Sequence, residues 1–432
     1  MNTKRAPTPK SPTAGDYLIA SKSCELMNLQ YFLQMGKLVQ CLSNLVHALQ
    51  CERGASNVFL GSSGDKFARE RQALVTESDR LRGEFEQSLA EIHQELTAHP
   101  VSSRLLNQLA SALHGLEGLP ELRRCVSGQK VTAASATEDY SGLIHNLIAV
   151  VFEAADTAVD PTIAGLLVAM VHLMNGKEFC GQERAVGSAG FSSGQFDRAL
   201  SQRMMHLIEA QERCFEVFTS FADRDSLKLW QTLRGHAREA GIEKLRQLGT
   251  SSVGRYKSLD PSLADRWFTV MSERMDELKQ VEDSVEGCFH ARCIERFADA
   301  RNSLAHQETL IASLDAPEPS SHPMLVLCDS GNERKAGETW ASDGVGQQFG
   351  RSIFDLVQEQ TCRLQQMTDE LRSARDALED RKTQEKAVLL LMDHRKISND
   401  EAHRVLRKLA MDQGKKLPEV ARALVSMADL LK

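Results

Sequence analysis

The sequence predicts an all-α protein, and three observations carry that reading. Leu, Ala, Glu, Gln, Arg and Met are abundant in the 432 residues, and these side chains lose little freedom in a helix. Aromatics make up only 5% and there are 11 prolines, so strand-favouring and helix-breaking residues are both sparse. Apolar residues recur at spacings of 3, 4 and 7 along most of the chain. The length exceeds one ordinary domain and suggests two or three. The expected architecture is a helical body of one long bundle or two linked four-helix bundles, then a coiled coil and a C-terminal three-helix domain.

Residues 1–22 are rich in Pro, Thr, Ser and Lys, which predicts a disordered start. They hold no apolar signal segment. The body, 23–310, follows with roughly eight helices. Leu38, Val39, Leu42, Leu45, Val46 and Leu49 form one apolar stripe. Leu143, Ile144, Leu147, Ile148, Val151 and Phe152 form another, and Ile163, Leu166, Leu167, Met170, Val171 and Met174 a third. Asp160-Pro161 separates the last two. No run of about 18 apolar residues occurs, so no membrane span is expected.

Residues 311–350 gather Pro, Ser and Gly and read as a linker. A coiled coil is expected over 351–380. Val357, Leu364, Leu371 and Leu378 are seven apart, and Ile353, Gln360, Met367 and Ala374 fill a second seam. The pattern fits either a homodimer or a helix packed on the body.

The tail, 381–432, holds three amphipathic helices. Ala387, Val388, Leu391 and Met392 belong to the first. Ser398 and Glu401 form a capping box that starts the second, which buries Ala402, Val405, Leu406, Leu409 and Ala410. Gly414 ends it, and Pro418 sits in the first turn of the third, whose apolar face is Val420, Leu424, Met427 and Leu431.

Charge divides unevenly along the chain. The tail has 12 Lys and Arg against 7 Asp and Glu, a net of +5; the whole chain has 52 against 59, leaving −12 for the remainder. A basic tail on an acidic body suits a polyanionic partner, although a solvated helix face gives the same count. His403, Arg407 and Met411 line one face at i, i+4 and i+8. A flat ring and a guanidinium suit stacking on unpaired bases, while lysines neutralise phosphate. Packing on a neighbouring helix explains the ring equally well.

Ten cysteines are scattered singly, Cys288 and Cys293 being closest. That pattern fits free thiols in a reducing, cytoplasmic setting. No HExxH, phosphate-binding loop, GxSxG or di-iron spacing occurs, so nothing points to an enzyme or to a metal. Gly344, Gly346 and Gly350 only approximate a dinucleotide fingerprint, and no strand precedes them.

Two body segments resemble each other: Gln50-Cys51-Glu52-Arg53-Gly54-Ala55-Ser56 and Gly181-Gln182-Glu183-Arg184-Ala185-Val186-Gly187. Each is an acid–arginine pair followed by small residues that admit close approach. A buried arginine needs a counter-charge. Either each arginine pairs with a glutamate on another helix, or the two converge on a small planar anion.

Two resemblances sharpen these readings. Ala377-Leu378-Glu379-Asp380-Arg381-Lys382, Glu385-Lys386-Ala387, Leu390-Leu391-Met392, Glu401-Ala402, Leu406-Arg407, Leu409-Ala410-Met411, Lys416-Leu417 and Val420-Ala421 together resemble the ANTAR family of RNA-binding antiterminator modules. The likeness implies that Ala402, His403, Arg407, Lys408, Ala410, Met411, Lys415 and Lys416 bind RNA. His403 stands where that family more often has Tyr or Phe.

Leu49-Gln50, Glu52-Arg53-Gly54-Ala55-Ser56, Lys177-Glu178, Gly181-Gln182-Glu183-Arg184-Ala185, Phe191 and Gly194 resemble the NIT family of nitrate and nitrite sensors. Ile242-Glu243-Lys244-Leu245-Arg246 and the stretch 267–282 are similar to its closing helices. The likeness covers about 23–310. It implies nitrate or nitrite as ligand, held by Arg53 and Arg184 with Arg246 as a third, and no cofactor. The pair of modules is similar to the nitrate-responsive antiterminators of bacterial nitrate-assimilation operons. It implies a cytoplasmic homodimer that binds leader RNA hairpins and prevents terminator formation. A DNA-binding regulator and a purely scaffolding dimer are the alternatives.

Overall fold

The computed structural model describes residues 12–98, 103–235, 237–251, 259–314, 346–397 and 399–430. Twelve helices and no strands occur among the described residues. In order they are α1 (Ala14–Gly61), α2 (Ala68–Ala98), α3 (Ser103–Ser127), α4 (Ala133–Asp156), α5 (Pro161–Ser192), α6 (Arg198–Phe221), α7 (Arg224–Arg234), α8 (Ala237–Ser251), α9 (Leu263–Leu314), α10 (Gly346–Arg395), α11 (Asn399–Gln413) and α12 (Leu417–Leu430).

Two compact units divide the chain. The smaller combines 1–31 with 293–369, the larger 32–292 with 370–432. In the smaller unit the helix start departs from expectation: order begins at Ala14, inside the stretch read as disordered. Thr13 and Asp16 explain it. The Asp16 carboxylate accepts from Thr13 N at 2.7 Å, and Thr13 Oγ1 accepts from Asp16 N at 3.2 Å. That reciprocal cap satisfies donors the first turn leaves open. Residues 1–11 lie outside the described residues.

In the larger unit the three apolar stripes of the sequence are buried throughout. Polar cross-links sort the body into two bundles. In the first, Arg123 of α3 bonds Glu52 of α1 at 2.7 Å and Asp79 of α2 at 2.5 Å, and Tyr140 of α4 donates to Glu52 at 2.6 Å. In the second, Arg246 of α8 bonds Glu183 of α5, Gln211 of α6 donates to the same carboxylate, and Arg274 of α9 donates to Gln211. With the short α7, the described residues of the body hold nine helices where the sequence suggested about eight.

Helix α5 is the hub. Asp160 caps it, accepting from Thr162 N at 2.9 Å and Ile163 N at 3.1 Å, and Pro161 fills its first turn. It is long and apolar enough to cross a membrane, yet nearly all of it is buried in protein. Buried Lys177, Glu178, Glu183 and Arg184 interrupt its apolar run. It is therefore a core helix, charged where it meets its neighbours.

The heptad resolves in part. Leu371, Ala374 and Leu378 are buried within this single chain, so this stretch of the seam packs on its own fold. The side chains of Ile353, Val357, Gln360 and Leu364 lie outside the described residues, as do 315–345 of the expected linker and Ser398 of the expected cap. The last strip of that linker, Gly346 onward, is helix α10. The tail core is Ala387, Val388, Leu391, Ala402, Leu406, Ala410, Val420 and Ala421. Gly414 ends α11 at φ +59°, a conformation glycine adopts without strain. Met427, expected in the core, is 61% exposed; the fully buried core ends at Val420 and Ala421, about two turns earlier, with Leu424 and Val425 packed against it.

Candidate anion site

The two arginine motifs meet where α1 crosses α5. Arg53 is buried, and its Nη1 donates to Ser141 Oγ of α4 at 2.6 Å and to Glu178 Oε1 of α5. Glu178 is itself held by Gln50 Nε2 at 3.0 Å and Gln182 Nε2 at 2.9 Å. Arg53 Nη2 is buried with no hydrogen-bond partner. A donor left in that state costs about 1–3 kcal/mol.

Arg184 is more exceptional. Its Nη1 donates to Ser272 Oγ of α9 at 2.9 Å, and its Nη2 to the Gln50 carbonyl at 2.8 Å. Phe268 lies beneath it, ring centroid 4.9 Å from Cζ. These partners are neutral, so a buried guanidinium has no carboxylate bonded to it among the described residues. Burial lowers its pKa to about 10, with the charge of Arg53 adding to the effect. The two cations are thus close enough to repel.

Glycine makes the convergence possible. A β-carbon on Gly54 would overlap the Arg184 guanidinium, and one on Gly181 would overlap Nη2 of Arg53. Each motif's glycine admits the other motif's arginine. Gly187 does the same for Trp267, whose Nε1 donates to the Arg184 carbonyl at 3.0 Å and fixes that turn of α5.

Further charged pairs flank the seam. Lys177 and Glu282 form a wholly buried pair at 2.6 Å, and Lys279 donates to Ser43 at 3.0 Å. Burial, then Lys177, Lys279 and Arg184, push the His47 pKa down to about 2. His47, Cys51 and Asp276 offer ligand atoms within 4.8 Å of one another. The same cations that resist a proton on His47 resist a metal ion there.

Arg246 is not part of this arrangement. Its Nε and Nη2 fork onto Glu183 at 2.8 Å each, and Nη2 reaches Gln211 at 3.1 Å. Neutralised by that carboxylate, it ties α8 to α5 and α6. The residue expected as a third ligand is thus placed apart from Arg53 and Arg184, on Glu183. Glu178 belongs to the family resemblance but has no role there, and Ser141, Ser272 and Phe268 were not named individually in the sequence. Glu178 sits three residues before the second motif's glycine; the others carry no local signal.

In the tail, Arg407 meets the body. Its Nη1 bonds Glu209 of α6 at 2.5 Å, and its Nη2 lies 3.4 Å from His206 Nε2. His403 packs edge-on against His206, centroids 5.6 Å apart. Burial lowers the Arg407 pKa. Met411, Lys408, Lys415 and Lys416 are exposed. Ala402 and Ala410, also expected at the RNA face, are buried in the tail core.

Fold and site together define a helical ligand sensor: a cationic seam between two bundles, joined to a basic three-helix module. Comparison with known proteins gives the class its particulars. The family profile described as nitrate and nitrite sensing matches residues 44–288, and the ANTAR domain profile matches 372–425. A nitrate regulatory protein of Klebsiella oxytoca is 32% identical over 97% of this chain and 96% of its own length. The solved structure of the NasR transcription antiterminator aligns with a TM-score of 0.58 at 30% identity, covering 97% of this chain and all of that one. The chain belongs to the family of regulators that join a nitrate- and nitrite-sensing domain to an ANTAR domain.

Proposed function

We propose that this protein prevents transcription termination when nitrate or nitrite binds between Arg53 and Arg184. One observation carries the ligand site: two buried guanidinium groups face each other's glycine, one with an idle donor and the other without a carboxylate. A planar oxyanion supplies the missing charge and accepts from both forks.

The output is the tail. In this arrangement Arg407 and His403, both expected to meet RNA, are turned onto His206 and Glu209 of α6. The acidic body thereby withholds Arg407 and His403, while Lys408, Met411, Lys415 and Lys416 stay exposed. Helix α5 links the two ends. Arg184 and Glu178 belong to the site, and Asn175 accepts from Arg381 Nη2 of the tail at 2.8 Å. Nine residues of helix span about 13 Å, so a shift of α5 at the anion reaches the tail directly. Nitrate acts through its higher affinity for the released arrangement. Freed tails, paired in a homodimer, then engage two hairpins of a leader transcript, with Lys408, Lys415 and Lys416 on phosphate and Arg407 with His403 on unpaired bases.

Thermal melting in nitrate tests the sensor. Millimolar nitrate raises the Tm of the wild-type protein, and Arg53→Ala and Arg184→Ala abolish the rise. A wild-type protein that melts unchanged in nitrate and in nitrite overturns the ligand assignment. Leader-RNA binding with and without nitrate tests the output separately.

A further inference from the structure

A second cavity lies in the larger unit, away from the arginine seam, where the body meets the start of the tail. Its volume is about 160 Å³. At about 30 Å³ per water it has room for roughly five waters or one molecule of amino-acid size. Gln108 of α3, Asn146 and Glu153 of α4, Asn175 of α5, and Arg381 and Glu385 of α10 line it.

The wall carries both signs of charge. Glu153 Oε2 is buried with no hydrogen-bond partner. Burial raises the pKa of this carboxyl above the usual range, although Lys382 and Arg104 pull it back. Lys382 does not bond to it; its Nζ donates to Asp156 at 2.8 Å. Oε2 therefore lacks a donor of its own. Arg381 Nη2 donates to Asn175 at 2.8 Å and its Nε to Glu385 at 3.1 Å. Its Nη1 carries no bond among the described residues.

We infer that this cavity is a second ligand site, for a free α-amino acid whose ammonium group meets Glu153 and whose carboxylate meets Arg381. A simple anion would face Glu153 and Glu385, and a metal cation would face Arg381 and Lys382; a zwitterion satisfies both walls. The carboxamides of Gln108 and Asn146 offer donors and acceptors to a polar side chain of the guest. L-Glutamine and L-asparagine match that lining better than an apolar amino acid.

The walls come from body and tail together, so the guest touches all of them only while the tail is docked. It then favours the docked arrangement by its differential affinity, opposing nitrate. The binding stands by itself; this consequence rests on the antiterminator reading.

Full-length protein without nitrate is titrated with L-glutamine, L-asparagine, L-leucine and N-acetyl-L-glutamine, followed by melting and calorimetry. L-Glutamine or L-asparagine raises the Tm and N-acetyl-L-glutamine does not. Glu153→Gln weakens the amino acid at least tenfold while its nitrate-induced Tm shift remains. Should that variant fail to fold, Ala149→Met, which fills the cavity from α4, takes its place with the same expectation. No stabilisation by any free amino acid, or undiminished stabilisation in the variant, overturns the site. L-Glutamine also raises the nitrate needed for half-maximal leader-RNA binding. An unchanged nitrate requirement overturns the opposing role and leaves the site intact, and a missing nitrate shift indicts the sensor reading alone.

Discussion

Nη2 of Arg53 lies where a β-carbon on Gly181 would sit. The first arginine motif thus depends on the absence of a side chain in the second. Gly181→Ala displaces the Arg53 fork from its position beside Arg184. Alanine is favoured over glycine in a helix by about 1 kcal/mol, which offsets part of the displacement. The expected result is a ligand-free Tm near that of the wild type and no nitrate shift. The wild-type shift at a hundredfold excess over Kd corresponds to about 2.7 kcal/mol. A full shift in Gly181→Ala would place the anion elsewhere.

The buried pair Lys177–Glu282 beside the seam is the stability counterpart. Both side chains are wholly buried, and Glu282 also accepts from Ser43 at 3.3 Å. Lys177→Met leaves a carboxylate alone in the core and costs about 3–5 kcal/mol. The double variant Lys177→Met, Glu282→Leu regains most of that loss, because an apolar pair of similar size needs no counter-charge. Urea unfolding of the four proteins in the cycle measures it; additive losses would show that the two residues act independently.

Glu209 holds Arg407 against the body. Glu209→Ala removes that anchor, and nitrate-free binding to a leader hairpin rises several-fold while the nitrate Tm shift persists. Arg407→Ala loses RNA binding in either condition. Unchanged nitrate-free binding in Glu209→Ala would mean that the docked contact does not restrain the tail.

His172 on α5 is buried with neither ring nitrogen bonded. Burial, with the charge of Arg381 adding to it, lowers its pKa from 6.5 to about 3. The unfolded chain takes up this proton near pH 6.5, whereas the folded protein resists it to about pH 3. The unfolded state therefore binds more protons in that window, and stability falls as the pH falls through it. His172→Leu flattens the dependence of Tm on pH between those limits. An unchanged slope would assign it to other groups.

Much of this protein is legible before folding. The 3–4–7 apolar spacing placed the helices because it records one face of a 3.6-residue turn. Asp160-Pro161 and Gly414 marked ends because capping and left-handed backbone are local chemistry. The repeated acid–arginine–small motif marked Arg53 and Arg184, and the net charges of +5 and −12 separated tail from body. What the arginines do was decided only in three dimensions. Arg184 bonds a serine 88 residues away and a carbonyl 134 away, whereas Arg246 is neutralised by Glu183, 63 residues away. Their sequence neighbourhoods do not distinguish them; their helix neighbours do. Ala402 and Ala410 likewise lie beside His403 and Met411 in sequence, but one side of a helix faces a core and the other faces outward. Helix formation is written in contacts three and four residues apart. The role of a buried charge depends on which distant helix supplies its partner, and packing alone determines that.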